Sequence, residues 1–199
     1  MALKASELPK IIGLVGRRRS GKDAAADYLT TAYGYTKRKF AAPLKSAIGA
    51  LFDFSEEQLE GELKDVVDPR WGASPRRLMQ YFGTDVMQHN MQLVLPSIGR
   101  GFAVKRMFIG EGSGGGQGMV AISDVRFVHE AVAIRERGGV LLKLIRNNVV
   151  GGWDGIDAHT SETELEGIIC DKIIENNGDL EGLYRGINGA LKELRRPWE

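Results

Sequence analysis

The chain has 199 residues, 43% of them hydrophobic, which is the length of one ordinary domain with enough apolar material for a sizeable core. Lys and Arg number 27 against 26 Asp and Glu, a formal charge of +1, so no global field draws the chain toward duplex DNA or an anionic membrane, and an anionic partner must be bound locally. The single cysteine, Cys170, excludes an internal disulfide and a multi-thiolate metal site, and neither a signal-peptide pattern near Met1 nor a run of about 20 apolar residues is present, so a soluble cytoplasmic protein without membrane contact is expected.

Ile11 to Val15 is a short apolar run ending abruptly at Gly16, the pattern of a buried strand feeding a turn. Asp23 to Thr31 follows with Ala, Leu and Tyr at helical spacing. Tyr35 to Phe40 reads as a second strand and Pro43 to Phe52 as a second helix with proline in its first turn. Ser55 and Gln58 have capping-box spacing. Ser74 caps a further helix to Tyr81, with Pro75 at its first position, and helix is expected to resume near Asp85. Gly110 to Gly118 is too rich in glycine for regular structure and reads as a surface connection; a phosphate cradle there lacks a GK ending and a following helix. Met119 to Val125 is a strand, Val128 to Arg137 a helix stopped by Gly138 and Gly139, and Val140 to Ile145 another strand. Ser161 to Gly167, Lys172 to Asn176 and Leu180 to Leu194 read as short helix, strand and closing helix. This alternation predicts an α/β fold, a mostly parallel sheet with helices on both faces, within one domain spanning residues 1–199.

Chemistry concentrates after the first strand. Gly16-Arg17-Arg18-Arg19-Ser20-Gly21-Lys22 matches the first seven positions of the phosphate-loop pattern GxxxxGK[ST], between a predicted strand and a predicted helix. Successive N–H groups in such a loop form an anion-sized nest, the helix N-terminus adds positive potential, and Lys22 reaches the β- and γ-phosphates of a nucleotide. Asp23 departs from the pattern, standing where Ser or Thr puts a hydroxyl on magnesium. A carboxylate suits that hard ion, directly or through water, and it also suits the first turn of a helix. Three consecutive arginines repel one another unless an anion neutralises them.

Asp124 and Arg126 stand at the end of a predicted strand, the edge where ligands bind in open α/β sheets. Asp124 can hold magnesium through water and Arg126 can fork onto a phosphate; the alternative is a structural ion pair at a helix start. Arg76, opening another helix, is either a phosphate clamp or a solvated surface arginine. Asp157, His159, Ser161 and Glu162 crowd one loop, but without a second nearby His or Cys they argue against zinc, and Trp153 either stacks on a base or covers the core edge.

Five segments in order resemble the deoxynucleoside monophosphate kinases of bacteriophages and large DNA viruses: GRRRSGKDAAADYL, FAAPLK, SPRRLMQYFGTD, SDVRFVHEAVAIRERGG and DAHTSE. The resemblance implies a P-loop NTPase three-layer sandwich of the nucleoside monophosphate kinase kind, with an acceptor-binding helical region over about 42–105 and a lid over about 146–161. It implies that Gly16, Arg19, Ser20, Gly21, Lys22, Asp23 and Ala24 hold ATP, that Arg18 and Arg76 meet the acceptor phosphate, and that Arg126, Trp153, Asp157 and Glu162 contact the deoxynucleotide or its approach. Arg146 is expected to open the lid and face ATP. The segment 147–160 contains no arginine, so transition-state charge falls on Lys22, the loop arginines, Arg126 and Arg146.

The expected chemistry is in-line attack of an acceptor phosphate oxygen on the γ-phosphate of ATP with magnesium, catalysed by positioning and charge. Kinases of phosphomevalonate or of hydroxymethylated bases in DNA, and a slowly hydrolysing nucleotide switch, are the rival readings; the neutral charge argues weakly against nucleic acid. The apolar C-terminal helix reads equally as a homodimer surface and as core.

Overall fold

Ile11–Val15 forms β1, buried along its whole length, which is why it reads as an unbroken apolar run rather than an alternating one. The computed structural model describes residues 4–109, 118–147 and 164–195. Five strands, β1, β2 (Thr36–Arg38), β3 (Val120–Val125), β4 (Val140–Ile145) and β5 (Lys172–Glu175), form one parallel sheet in the order β2-β3-β1-β4-β5. β1 is central, pairing Ile12 with Ala121 on one side and Gly13 with Leu141 on the other.

Side chains alternate across the sheet. Ile12 and Leu14 of β1 share a core with Ala25, Ala26 and Leu29 of α1 (Lys22–Tyr33) and with Leu183, Ile187 and Leu191 of the last helix (Leu180–Glu193). Gly13 faces the other side, where a Cβ would fall 2.7 Å from Leu141 and 2.8 Å from Ile134 of the helix Val128–Glu136. The absent side chain lets that helix seat closely on β1. Helices therefore cover both faces, giving the three layers expected from the sequence.

Contacts divide the chain into two compact units, one of residues 1–39 with 111–199 and one of residues 40–110. The sheet belongs to the first; the helical region expected over 42–105 lies within the second. There, α2 (Ala42–Phe52), α3 (Glu56–Leu59) and α4 (Pro75–Gln80) pack around Ile48, Phe54 and Met79, with Leu44, Leu59 and Phe82 against them. Ser55 and Gln58 form the predicted capping box, and the Ser74 hydroxyl accepts the Arg77 N–H. The expected pause before Asp85 does not occur. Helical backbone continues as a π-helix over Tyr81–Asn90 into α5 (Met91–Val94), and Gly83 serves close packing instead, since a Cβ there would meet Leu44 at 3.1 Å. A helix at Phe102–Met107, α6, was not anticipated. Two further α-helices among the described residues, Val128–Glu136 and Leu180–Glu193, are α7 and α8. Among the described residues no helix is long and apolar enough to cross a membrane.

Candidate active site

The link from β1 to α1 is a loop whose backbone only certain residues tolerate. Gly16 has φ +154° and Gly21 φ +99°, and a Cβ on Gly16 would fall 2.5 Å from the Leu144 carbonyl oxygen. Arg19 lies in the left-handed region at φ +62°, a strained conformation for a long side chain and the kind of strain that collects at ligand sites. The loop is held from behind. Asn176, buried just past β5, donates its side-chain N–H to the Ser20 carbonyl oxygen at 3.0 Å, and the Ser20 side chain is itself buried. Lys22 folds its ammonium over the loop, donating to the carbonyl oxygens of Gly16 and Arg17, each at 2.6 Å. Of the three arginines, Arg17 pairs with Glu166 at 2.6 Å; Arg17, Arg18 and Arg19 are all exposed.

Asp23, in the first turn of α1, receives three donors on one oxygen. Lys39 lies 2.9 Å and Lys37 3.0 Å from Oδ1, and the buried Ser123 hydroxyl of β3 donates to it at 3.3 Å. Burial alone would raise this carboxyl; the hydrogen bonds from Lys39 and Lys37 outweigh it and hold the group at about 2, ionised throughout the physiological range. Lys37 also binds Asp27 at 2.8 Å.

At the end of β3, Asp124 is half-buried and Arg126 exposed. The turn into α7 is pinned by Glu130, whose Oε2 accepts the backbone N–H groups of Arg126 at 2.8 Å and Phe127 at 3.1 Å. Complete burial, reinforced by the neighbouring Asp124 charge, pushes the Glu130 carboxyl up to about 8 against the pull of those two N–H groups. An unfolded chain releases this proton near 4.5, so the folded state loses stability as pH rises from there toward about 8. Glu130→Gln keeps an oxygen for both N–H donors without a charge to bury. The variant is expected to be more stable than the parent by about 1–3 kcal/mol near pH 8 and to melt at a higher temperature there, with the gap shrinking toward pH 5. Parallel melting curves across that pH range would contradict this account of Glu130.

In a parallel sheet the carboxyl ends of all strands share one edge. Neighbouring strands β3, β1 and β4 accordingly bring Asp124 and Arg126, the Gly16–Lys22 loop with Asp23, and Arg146 to the same side of the first unit. A strand–phosphate-loop–helix at the centre of such a sheet is the P-loop kinase arrangement. The model of the family "Deoxynucleotide monophosphate kinase" matches residues 58–187. A protein of Acanthamoeba polyphaga mimivirus assigned to the deoxynucleotide monophosphate kinases is 36% identical over 184 residues, covering 89% of this chain and 93% of its own length. The chain belongs to the deoxynucleotide monophosphate kinase family. Another similar protein, the deoxynucleotide monophosphate kinase of Enterobacteria phage T4, is 24% identical, with 93% of this chain and all of that one aligned. The crystal structure of shikimate kinase from Aquifex aeolicus superposes with a TM-score of 0.45 at 13% identity, covering 92% of this chain and 96% of that one. The kinase fold assigned above rests on strand order and loop geometry, not on that likeness.

Arg76 lies in the second unit at the start of α4, its guanidinium forking onto Asp65 through Nε to Oδ1 and through Nη2 to Oδ2 at 3.1 Å. Trp153, Asp157 and Glu162, with most of the expected lid, lie outside the described residues, as does nearly all of the glycine-rich segment. Sequence reasoning missed Lys37, Lys39, Ser123, Glu130 and Asn176. A signal existed for the lysines: they are spaced by two within the strand predicted over Tyr35 to Phe40, a spacing that puts both on one face.

Proposed function

We propose that this kinase transfers the γ-phosphoryl group of ATP to the phosphate of a deoxynucleoside monophosphate, giving the diphosphate and ADP. The observation that carries this reading is the phosphate loop itself, with Lys22 held over it, at the carboxyl edge of β1 in a chain of this family. The loop N–H groups and the N-terminus of α1 bind the donor's phosphates, and Lys22 turns from its carbonyl partners to the β- and γ-oxygens. Arg126 and Arg146 supply positive charge where it develops on the transferring group, while Arg18 and Arg76 orient the acceptor phosphate. That phosphate is already nucleophilic, so an acceptor oxygen attacks in line and no general base is needed.

The donor chemistry fits magnesium: Asp23 is an ionised carboxylate at neutral pH, and carboxylate oxygen suits that hard ion. Asp23 and Asp124 would hold the ion directly or through water, and bound magnesium supplies neutralisation of the phosphate charge. Trp153, Asp157 and Glu162 are proposed to contact the deoxynucleotide.

The test is ADP release from ATP and magnesium with dTMP, dGMP, dCMP, dAMP, each ribonucleotide, phosphomevalonate and hydroxymethylated DNA supplied separately. Stimulation by one or more deoxynucleoside monophosphates is expected. Stimulation confined to another acceptor would refute the substrate and leave the phosphate-loop chemistry standing; no stimulation by any acceptor would refute kinase action.

A further inference from the structure

Phosphate loops ordinarily end in Lys followed by Ser or Thr, an uncharged hydroxyl beside the nucleotide. Here the residue after Lys22 is Asp23, and an ionised carboxylate in the first turn of α1 repels the phosphates that the loop exists to bind. The structure surrounds this carboxylate with compensation drawn from elsewhere in the chain. Lys37 of β2 and Lys39, the residue just past its end, set their ammonium groups 3.0 and 2.9 Å from the same oxygen, Oδ1, and both side chains are only about a quarter exposed. Ser123, nearly fully buried in β3 and about a hundred residues away in sequence, adds a hydroxyl to that oxygen. It puts a hydroxyl back beside the phosphate loop from a different strand.

Resting on the phosphate-loop reading above, we infer that Lys37 and Lys39 are positioning residues for phosphoryl transfer that make a carboxylate workable at this loop position. They cancel the charge of Asp23 toward the nucleotide, and they hold free divalent cations off that carboxylate until one arrives on the nucleotide's phosphates. Both actions follow from the same two ion pairs. An ammonium on Oδ1 attracts a phosphate and repels a divalent ion, so removing it moves the two affinities in opposite directions. A purely structural role, tying β2 to α1, has no such signature: loosening the contact lowers stability and both affinities together.

The experiment uses the full chain and Lys37→Gln, Lys39→Gln and the double variant, with melting curves to verify folding. Mn2+ binding to nucleotide-free protein is followed by electron paramagnetic resonance, and ADP binding in EDTA by calorimetry. Expected for each single variant is Mn2+ affinity about threefold to tenfold higher and metal-free ADP affinity lower by a similar factor, with larger changes in the double variant. Lys39→Arg, which keeps the charge, is expected to stay near the parent on both measures, and adding Asp23→Asn to Lys39→Gln is expected to remove the gain in Mn2+ affinity. Unchanged Mn2+ affinity in folded single variants, or a parallel fall in both affinities, would overturn the inference; if the double variant does not fold, the singles decide. Parent protein that binds no ADP would sink the phosphate-loop reading together with the inference, whereas a parent that binds ADP beside indifferent variants refutes the inference alone.

Discussion

Lys22→Ala is expected to lower ATP-dependent turnover by about 10²–10³-fold, the scale of losing one preorganised charge from a developing transition state. Its melting temperature should stay within a few degrees of the parent, because the bonds it loses, to the carbonyl oxygens of Gly16 and Arg17, lie at a part-exposed surface. Lys22→Arg should rescue little: a planar guanidinium does not fit where a compact ammonium reaches between loop carbonyls and phosphate oxygens. Coupled measurement of ADP release beside thermal unfolding separates chemistry from folding. Near-parent turnover in folded Lys22→Ala protein would remove the phosphate loop from the mechanism.

Gly21→Val should strike both stability and binding. At φ +99° a β-branched residue is strained by about 1–3 kcal/mol, and its Cβ would fall 2.3 Å from the Asn176 side-chain nitrogen. Asn176 must then retreat from the Ser20 carbonyl, leaving buried polar groups unpaired at a further cost of about 1–3 kcal/mol. Together these predict a melting temperature lower by about 5–15 °C and loss of the thermal shift that ADP gives the parent. Asn176→Ala alone should reproduce the second part of the loss, because it deletes the support and leaves the backbone unstrained. A Gly21→Val protein that melts like the parent and still responds to ADP would show that neither the left-handed backbone nor the Asn176 contact governs the loop.

Much of this fold can be read from the amino acids because its signals are local. β1 is one apolar run, the Ser55–Gln58 box and the Ser74–Pro75 start declare their helices, and Val140–Ile145 was bounded to the residue. Errors fall where packing decides. The predicted break between Tyr81 and Asp85 is absent, with Gly83 in close packing against Leu44, and the short α6 carries no periodic signal strong enough to announce it. The site divides in the same way. The phosphate loop is contiguous and therefore legible, and so are Asp124 and Arg126 at a strand end. Ser123 and Asn176 reach the loop from residues roughly a hundred and a hundred and fifty positions away, and no spacing rule connects them to Gly21 or Asp23. Glu130 is illegible as a buried carboxyl held partly protonated, because its burial comes from tertiary packing and not from local spacing.

The strand order has a consequence for how the chain is made. β1 is synthesised first but lies at the middle of the sheet, and both of its partners, β3 and β4, come after the whole of the second unit. At roughly 5–20 residues per second on a ribosome, an apolar strand with two open edges waits on the order of ten seconds for its neighbours. Residues 40–110 can meanwhile gather their own core around Ile48, Phe54 and Met79. The phosphate loop, whose backing comes from Leu144 and Asn176, takes its shape only once residue 176 has emerged, so a shorter nascent chain has no preformed nest with which to capture nucleotide.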